Sequence, residues 1–210
     1  MSCDPTRTDD LPSHALTGTG DGVRPDVTRR MLLGLTLLLG VGALRPRLLR
    51  AAPAAGAANA GSVTIEEFAA SGKSTGTKTV ARVVKTDTEW RQQLSLLAYT
   101  VTRHEGTEPA FSGAYDRNHA DGLYSCICCA TVLFDSRTKF DSGTGWPSFW
   151  QPISRLNVSE SGDSSLGMQR TAVSCKRCEA HLGHVFADGP KPTGLRYCMN
   201  SVALNFTARA

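Results

Sequence analysis

The sequence carries little net charge, no apolar run long enough to cross a bilayer, and no internal repeat beyond two short cysteine motifs. Its 23 Lys and Arg against 19 Asp and Glu leave +4. Residues 1–60 hold seven Arg and five Asp, so 16 basic against 14 acidic residues, a charge of +2, remain beyond them. A charge that small removes any electrostatic argument for a nucleic-acid partner. The main apolar stretch, Met31 to Leu44, is 14 residues long, short of the ~20 that cross a membrane as a helix. The H-E-x-x-H pattern is absent too, so a zinc hydrolase or deaminase, which needs an open metal and an adjacent glutamate, has no support. What is present is 210 residues, 40% hydrophobic and 20% charged, enough for one globular domain with an appendage.

The seven cysteines are the informative part: Cys3, Cys126, Cys128, Cys129, Cys175, Cys178 and Cys198. Cys126-x-x-Cys129 and Cys175-x-x-Cys178 have the spacing by which four thiolates enclose one tetrahedral zinc. Two disulfides or a redox dithiol are the alternatives. Cys128 competes with Cys129 as a ligand, although the two-residue gap from Cys126 favours Cys129. Four thiolates leave zinc no open position, so the expected Zn2+ is structural, one per chain. Cys3, Cys128 and Cys198 remain as free thiols.

Cys198 lies in a stretch from Gly194 to Phe206 that is predicted as one strand, preceded by the turn residues Gly189, Pro190, Pro192 and Gly194. Alternation along a strand puts Arg196, Cys198 and Asn200 on one face, followed there by Val202, Leu204 and Phe206. A guanidinium beside a thiol favours the thiolate, the form that attacks electrophiles. Cys198 is therefore the candidate nucleophile, against the alternative of a small buried hydrophobe. Upstream runs His181-Leu182-Gly183-His184-Val185-Phe186-Ala187-Asp188. Histidines three apart fall on opposite faces of a regular strand, so both reach one site only if Gly183 bulges or the segment turns. With zinc satisfied by sulfur, His181 and His184 are free for proton transfer, with structural roles as the alternative. His104 and His119 have no companion at a fixed spacing and are assigned to surface or capping roles. The Gly-rich loop Asp141 to Trp150 presents Trp146 as a candidate binding surface.

The N-terminal 60 residues resemble an export signal. Arg29 and Arg30 stand immediately before the 14-residue apolar core, and Ala58-Asn59-Ala60 offers a cleavage site. The paired arginines point to the twin-arginine route and so to a bacterial periplasm. An uncleaved membrane anchor is the alternative; five aspartates count against an organelle transit peptide. Residues 61–85 are expected to be a flexible tether with at most one short strand, and 86–210 the catalytic domain. Thr86-Asp87-Thr88-Glu89 starts a helix whose Trp90, Leu94 and Leu97 should face the core. A second helix is expected over Ala98–Arg103, and a hairpin about Ser161-Gly162-Asp163.

Taken together, these strings resemble the type B methionine sulfoxide reductases. The matching stretches are Gly106-Thr107-Glu108, Tyr124 through Phe134, Lys139 through Phe149, Cys175 through Pro190 and Thr193 through Phe206. The resemblance runs from about residue 86 to the end. It implies a mainly β (α+β) fold, two antiparallel sheets around the active site with short N-terminal helices and the structural zinc on four cysteines. It implies reduction of the R epimer of methionine sulfoxide, free or in proteins, through a sulfenic acid on Cys198. Trp146, His181, His184, Asp188, Arg196 and Asn200 would line or support the pocket. A histidine would protonate the sulfoxide oxygen, Trp146 would face the methyl group, and Asn200 would hydrogen-bond the polar side. Many family members carry a second, resolving cysteine where this chain has Thr144. Recycling here is thus expected from a thioredoxin-like protein or a small thiol, with Cys128 as the alternative. A monomer is expected. The competing class is a non-enzymatic zinc module, which would have no use for Cys198, Trp146, His181 and His184 together.

Overall fold

The computed structural model describes residues 61–164 and 169–209. The candidate export segment lies outside them, as do residues 165–168; the turn expected about Ser161-Gly162-Asp163 is instead strand, those residues pairing with Ala172, Thr171 and Arg170.

Eleven strands and two α-helices build the described part, with every strand pair antiparallel. Strands β5 (Lys139–Phe140), β6 (Ser148–Phe149), β10 (Arg196–Met199), β9 (His181–Phe186), β8 (Arg170–Cys175) and β7 (Val158–Asp163) form a six-stranded sheet in that order. Strands β11 (Leu204–Ala208), β3 (Gly122–Cys126) and β4 (Val132–Asp135) form a three-stranded one. An aromatic core joins the two sheets. Phe134 of β4 stacks on Phe149 of β6 at 4.4 Å, and Tyr124 of β3 meets Phe149 edge-on at 5.1 Å. Such ring pairs add to the area they remove from water.

The expected single strand over residues 194–206 is two strands. A 3-10 turn over Ser201–Ala203 separates β10 from β11 and carries the chain from one sheet to the other. In β10 the alternation holds: Tyr197 and Met199 are buried in the core, while Arg196 and Cys198 stand partly open on the other face.

Residues 61–85, expected as a tether, contain a hairpin of β1 (Ser62–Phe68) and β2 (Ser74–Ala81). Val63 and Ile65 are buried beneath it. The Asn157 side chain clamps it, accepting from the Glu66 N–H and donating to the Glu66 carbonyl, both at 2.8 Å. All of β2 except Val80 is exposed, so its Ser, Thr and Lys residues carry no apolar alternation from which a strand is predicted.

Helix α1 (Asp87–Gln93) starts on the predicted capping box, with Thr86 and Glu89 bonding reciprocally. It stops after two turns because Ser95 caps a new helix, α2 (Leu96–His104). That break resets the helical phase. Trp90 and Leu94 are buried as expected, whereas Leu97 is 41% exposed.

Candidate active site and metal centre

Two tight turns bring four sulfurs together. Cys126 ends β3 and Cys175 ends β8, and each knuckle closes with a backbone bond onto its first cysteine carbonyl, from Ala130 N and from Glu179 N. Ala130 and Glu179 both take a left-handed φ of 59°, so the knuckles share a local geometry that no glycine announces. The Sγ atoms of Cys126, Cys129, Cys175 and Cys178 lie within 4.8 Å of one another, with Cys126–Cys178 at 3.6 Å and Cys129–Cys175 at 3.5 Å. Metal–sulfur bonds of ~2.3 Å in a tetrahedron put sulfurs about 3.8 Å apart, whereas a disulfide needs ~2.05 Å. The four cysteines therefore fit a metal ion and exclude the paired-disulfide alternative. Cys128 is buried beside this cluster.

The nucleophile candidate opens onto a cavity of about 160 Å³ whose lining includes Thr107, Trp146, His184, Phe186, Cys198 and Met199. That is below the ~300–1,000 Å³ of pockets for drug-sized ligands, and suits the tip of a side chain. Gly183 lets β9 press against β10 here: a Cβ on it would sit 2.1 Å from the Cys198 carbonyl oxygen. A bulge occurs where the histidine spacing requires one. Against β8, His184 pairs with Ala172 and Gly183 with Val173, but Ser174 pairs with His181, leaving Leu182 without a partner. The bulge brings the two imidazoles to 5.2 Å.

The histidines are not equivalent. His184 lines the cavity, sits opposite Cys198 in the strand register and holds its Nε2 2.7 Å from the Asp163 carboxylate. Asp163 also accepts from Arg170, another lining residue. His181 lies behind, 3% exposed and outside the lining, and burial lowers its pKa to about 4. It is neutral at pH 7, and of the two histidines expected to be free for proton transfer His184 is the one that lines the cavity. A base whose folded pKa is depressed binds fewer protons folded than unfolded, so acidification from 6.5 to 4 favours the unfolded chain. Stability should fall across that window by roughly 3 kcal/mol on this account. Urea midpoints at pH 7, 5.5 and 4.5 should show a shallower decline in His181→Asn than in the wild type.

Arg196 pulls the Cys198 thiol down, the expected direction, but burial outweighs it. Its guanidinium binds Asp188 in a fork, at 2.9 and 2.8 Å, and lies 4.4 Å over the Phe186 ring. Burial pushes the Cys198 thiol up, and the opposing pulls of Thr144, Arg196 and Ser148 do not cancel it. Asp188 thus holds the guanidinium that acts directly on the Cys198 sulfur, and the same guanidinium backs Phe186, a wall of the cavity. Asn200 borders the cavity, yet its amide is committed to backbone, accepting from Glu108 N at 2.9 Å and donating to the Leu182 carbonyl at 3.1 Å. It holds β9 and the 107–111 loop together, which supports the cavity it borders.

Glu108 is the residue whose part a local reading of the sequence does not disclose. Its carbonyl accepts from Trp146 Nε1 at 3.0 Å, and its carboxylate accepts from the backbone N–H groups of Ser201 and Val202 at 2.7 and 3.0 Å. The backbone of this buried residue, 1% exposed, thereby fixes the indole, and its carboxylate fixes the turn that follows the nucleophile strand. Glu108→Gln would set an amide N–H2 against a backbone N–H, at a cost of about 2–3 kcal/mol. A thermal melt should show a midpoint roughly 4–12 °C lower. An unchanged melt would mean that the clamp contributes nothing.

An ionisable sulfur in a small, largely apolar cavity beside a histidine is the apparatus of thiol-based redox catalysis. Residues 94–208 match the SelR domain. The peptide methionine sulfoxide reductase MsrB of Thioalkalivibrio sulfidiphilus is 59% identical over 123 residues, which cover 59% of this chain and 90% of that one. The MsrB of Pseudomonas syringae pv. syringae is 57% identical over 129 residues, 61% of this chain and 98% of its own. That of Herminiimonas arsenicoxydans is 56% identical over 127 residues, 60% and 93% respectively. The chain belongs to this family, the type B methionine sulfoxide reductases, and with it to the oxidoreductases.

Proposed function

We propose that the protein reduces the R epimer of methionine sulfoxide, free or in oxidised proteins, to methionine. The observation that carries this is the Cys198 sulfur in a side-chain-sized cavity walled by Trp146, Phe186 and Met199, with His184 across the strand pair. The thiolate attacks the sulfoxide sulfur as a proton from His184 reaches the oxygen. The new S–S bond forms as the S–O bond of the substrate breaks and hydroxide departs; the hydroxide then attacks the Cys198 sulfur, the S–S bond breaks and methionine leaves with its electron pair, so the oxygen ends on Cys198 as a sulfenic acid and the cysteine has given up two electrons. An external thiol then displaces water from the sulfenic acid, and a second thiol frees Cys198 as a disulfide departs. Thr144 Oγ1 lies 3.9 Å from the Cys198 sulfur, and the free thiol of Cys128 is buried at the metal cluster, outside the cavity lining. Both support recycling by a thioredoxin-like protein or a small thiol. The epimer preference rests on family membership. The test offers each sulfoxide diastereomer separately to the wild type and to Cys198→Ser. Only wild type with the R epimer should turn over; equal rates on the two epimers would end the stereochemical claim.

The metal we assign to the four cysteines is zinc, whose preference for four thiolates the cluster suits. It would brace the fold and take no part in the reaction.

We also propose export by the twin-arginine route, from Arg29 and Arg30 before the apolar core. Such a route would carry the folded, metal-loaded domain into an oxidising compartment with four thiols already protected. Cell fractionation should place the mature protein in the periplasm, shortened near Ala60. Recovery only from the cytosol would refute this.

A further inference from the structure

We propose that Thr144 is a hydroxyl donor to the Cys198 sulfur, positioned by Ser142 and Ser148, and that these three hydroxyls reverse their hydrogen-bond direction when the thiol ionises. This deepens the role given to Cys198 above and rests on that assignment. The chain of contacts is continuous. Ser148 Oγ is 2.7 Å from Ser142 Oγ, Ser142 Oγ is 2.8 Å from Thr144 Oγ1, and Thr144 Oγ1 is 3.9 Å from the sulfur, within reach given sulfur's larger radius. Ser148, which also acts on the sulfur directly, can donate to the Trp146 carbonyl at 3.2 Å.

The fold explains why these residues meet. Ser148 is the β6 partner of Cys198 in β10. The loop before β6 doubles back through Gly143 and Gly145, with φ of 68° and 88°, which brings residues 142 and 144 over the same sulfur. Gly145 is also held close to residue 111, where an added Cβ would lie 2.7 Å from Phe111 N.

Each hydroxyl has one hydrogen to donate and lone pairs to accept, so the chain has two self-consistent directions. With the thiol protonated, S–H points to Thr144, Thr144 to Ser142, Ser142 to Ser148, and Ser148 to the Trp146 carbonyl. With the thiolate formed, Ser148 points to Ser142, Ser142 to Thr144, and Thr144 to the sulfur. Every hydroxyl keeps its own proton and only rotates; the proton lost by sulfur leaves into the cavity. A buried thiolate needs such a donor. Of the other titratable and charged groups around the sulfur, Arg196 on its own strand also favours the thiolate while bound to Asp188, and His184 on β9 and Arg170 on β8 are bound to Asp163. Asp141, on the hydroxyl loop, accepts from Gly143 N. Consistent with this, Thr144 is the strongest influence opposing the upward push of burial on Cys198, ahead of Arg196.

The test is the pH dependence of Cys198 alkylation by iodoacetamide in the full, metal-loaded chain, read by peptide mass. Thr144→Val keeps the shape and removes the hydroxyl, so the midpoint should rise by about one pH unit. Thr144→Ser should keep the wild-type midpoint, and Ser142→Ala, one link away, should raise it by a smaller amount. A wild-type midpoint in Thr144→Val overturns the proposal. If Thr144→Val unfolds, seen as alkylation of Cys128 and the four metal cysteines together with Cys198, Ser142→Ala decides, and an unshifted midpoint there overturns it. Alkylation needs no sulfoxide. Loss of the reductase assignment would leave this result standing, and the reverse also holds.

Discussion

Cys198→Ser is expected to lower sulfoxide turnover by at least about three orders of magnitude, a barrier increase of ~4 kcal/mol or more. Serine retains the size and hydrogen bonding of cysteine, so the β10 register against Ser148 and His184 should survive and the melting temperature should hold. What disappears is the chemistry. A serine hydroxyl is a far weaker acid than even a buried thiol and stays protonated at neutral pH, and an alkoxide oxygen has no stable counterpart of the sulfenic acid to accept the sulfoxide oxygen. A steady-state assay with dithiothreitol and the R epimer checks this. Residual turnover above about one percent of wild type would mean that another group performs the attack and that the cavity has been assigned to the wrong atom.

Withdrawing the metal is expected to unfold the domain. Cys126 and Cys129 belong to the end of the three-stranded sheet, while Cys175 and Cys178 belong to the connection between β8 and β9 of the six-stranded one. An ion held by these four cysteines would therefore cross-link the two sheets. The chain passes between those sheets at the turn Ser201–Ala203, three residues after the nucleophile, and Leu204 just beyond it pairs with the ligand Cys126. Structural zinc sites contribute ~10–16 kcal/mol, as much as or more than the whole ~5–15 kcal/mol stability of a typical domain. Elemental analysis should find one zinc per chain. Chelation should abolish the near-ultraviolet circular dichroism and the activity together, and Cys175→Ser should give the same outcome without chelator. A metal-free protein with a wild-type melting curve would show that the cluster is dispensable.

The sequence determined whatever depends on neighbours a few residues apart. Two Cys-x-x-Cys knuckles, the Thr86–Glu89 capping box and the alternation that turns Arg196 and Cys198 away from Tyr197 and Met199 are all set by spacing, because backbone geometry repeats over that range. Even the bulge at Leu182 and Gly183 was legible as a condition: two histidines three apart demand it if they are to meet. Contacts between distant segments were decided only by the tertiary structure. Glu108 meets Ser201, Asn200 meets Leu182 and Glu108, Asn157 docks the β1–β2 hairpin, and Thr144 reaches Cys198. These pairs are 18 to 93 residues apart, and no local periodicity encodes which polar side chain satisfies which buried backbone group. The same reason separates His181 from His184. One motif supplies both rings, but burial, a property of the packed sheet, leaves one neutral behind the cavity and the other facing the sulfur.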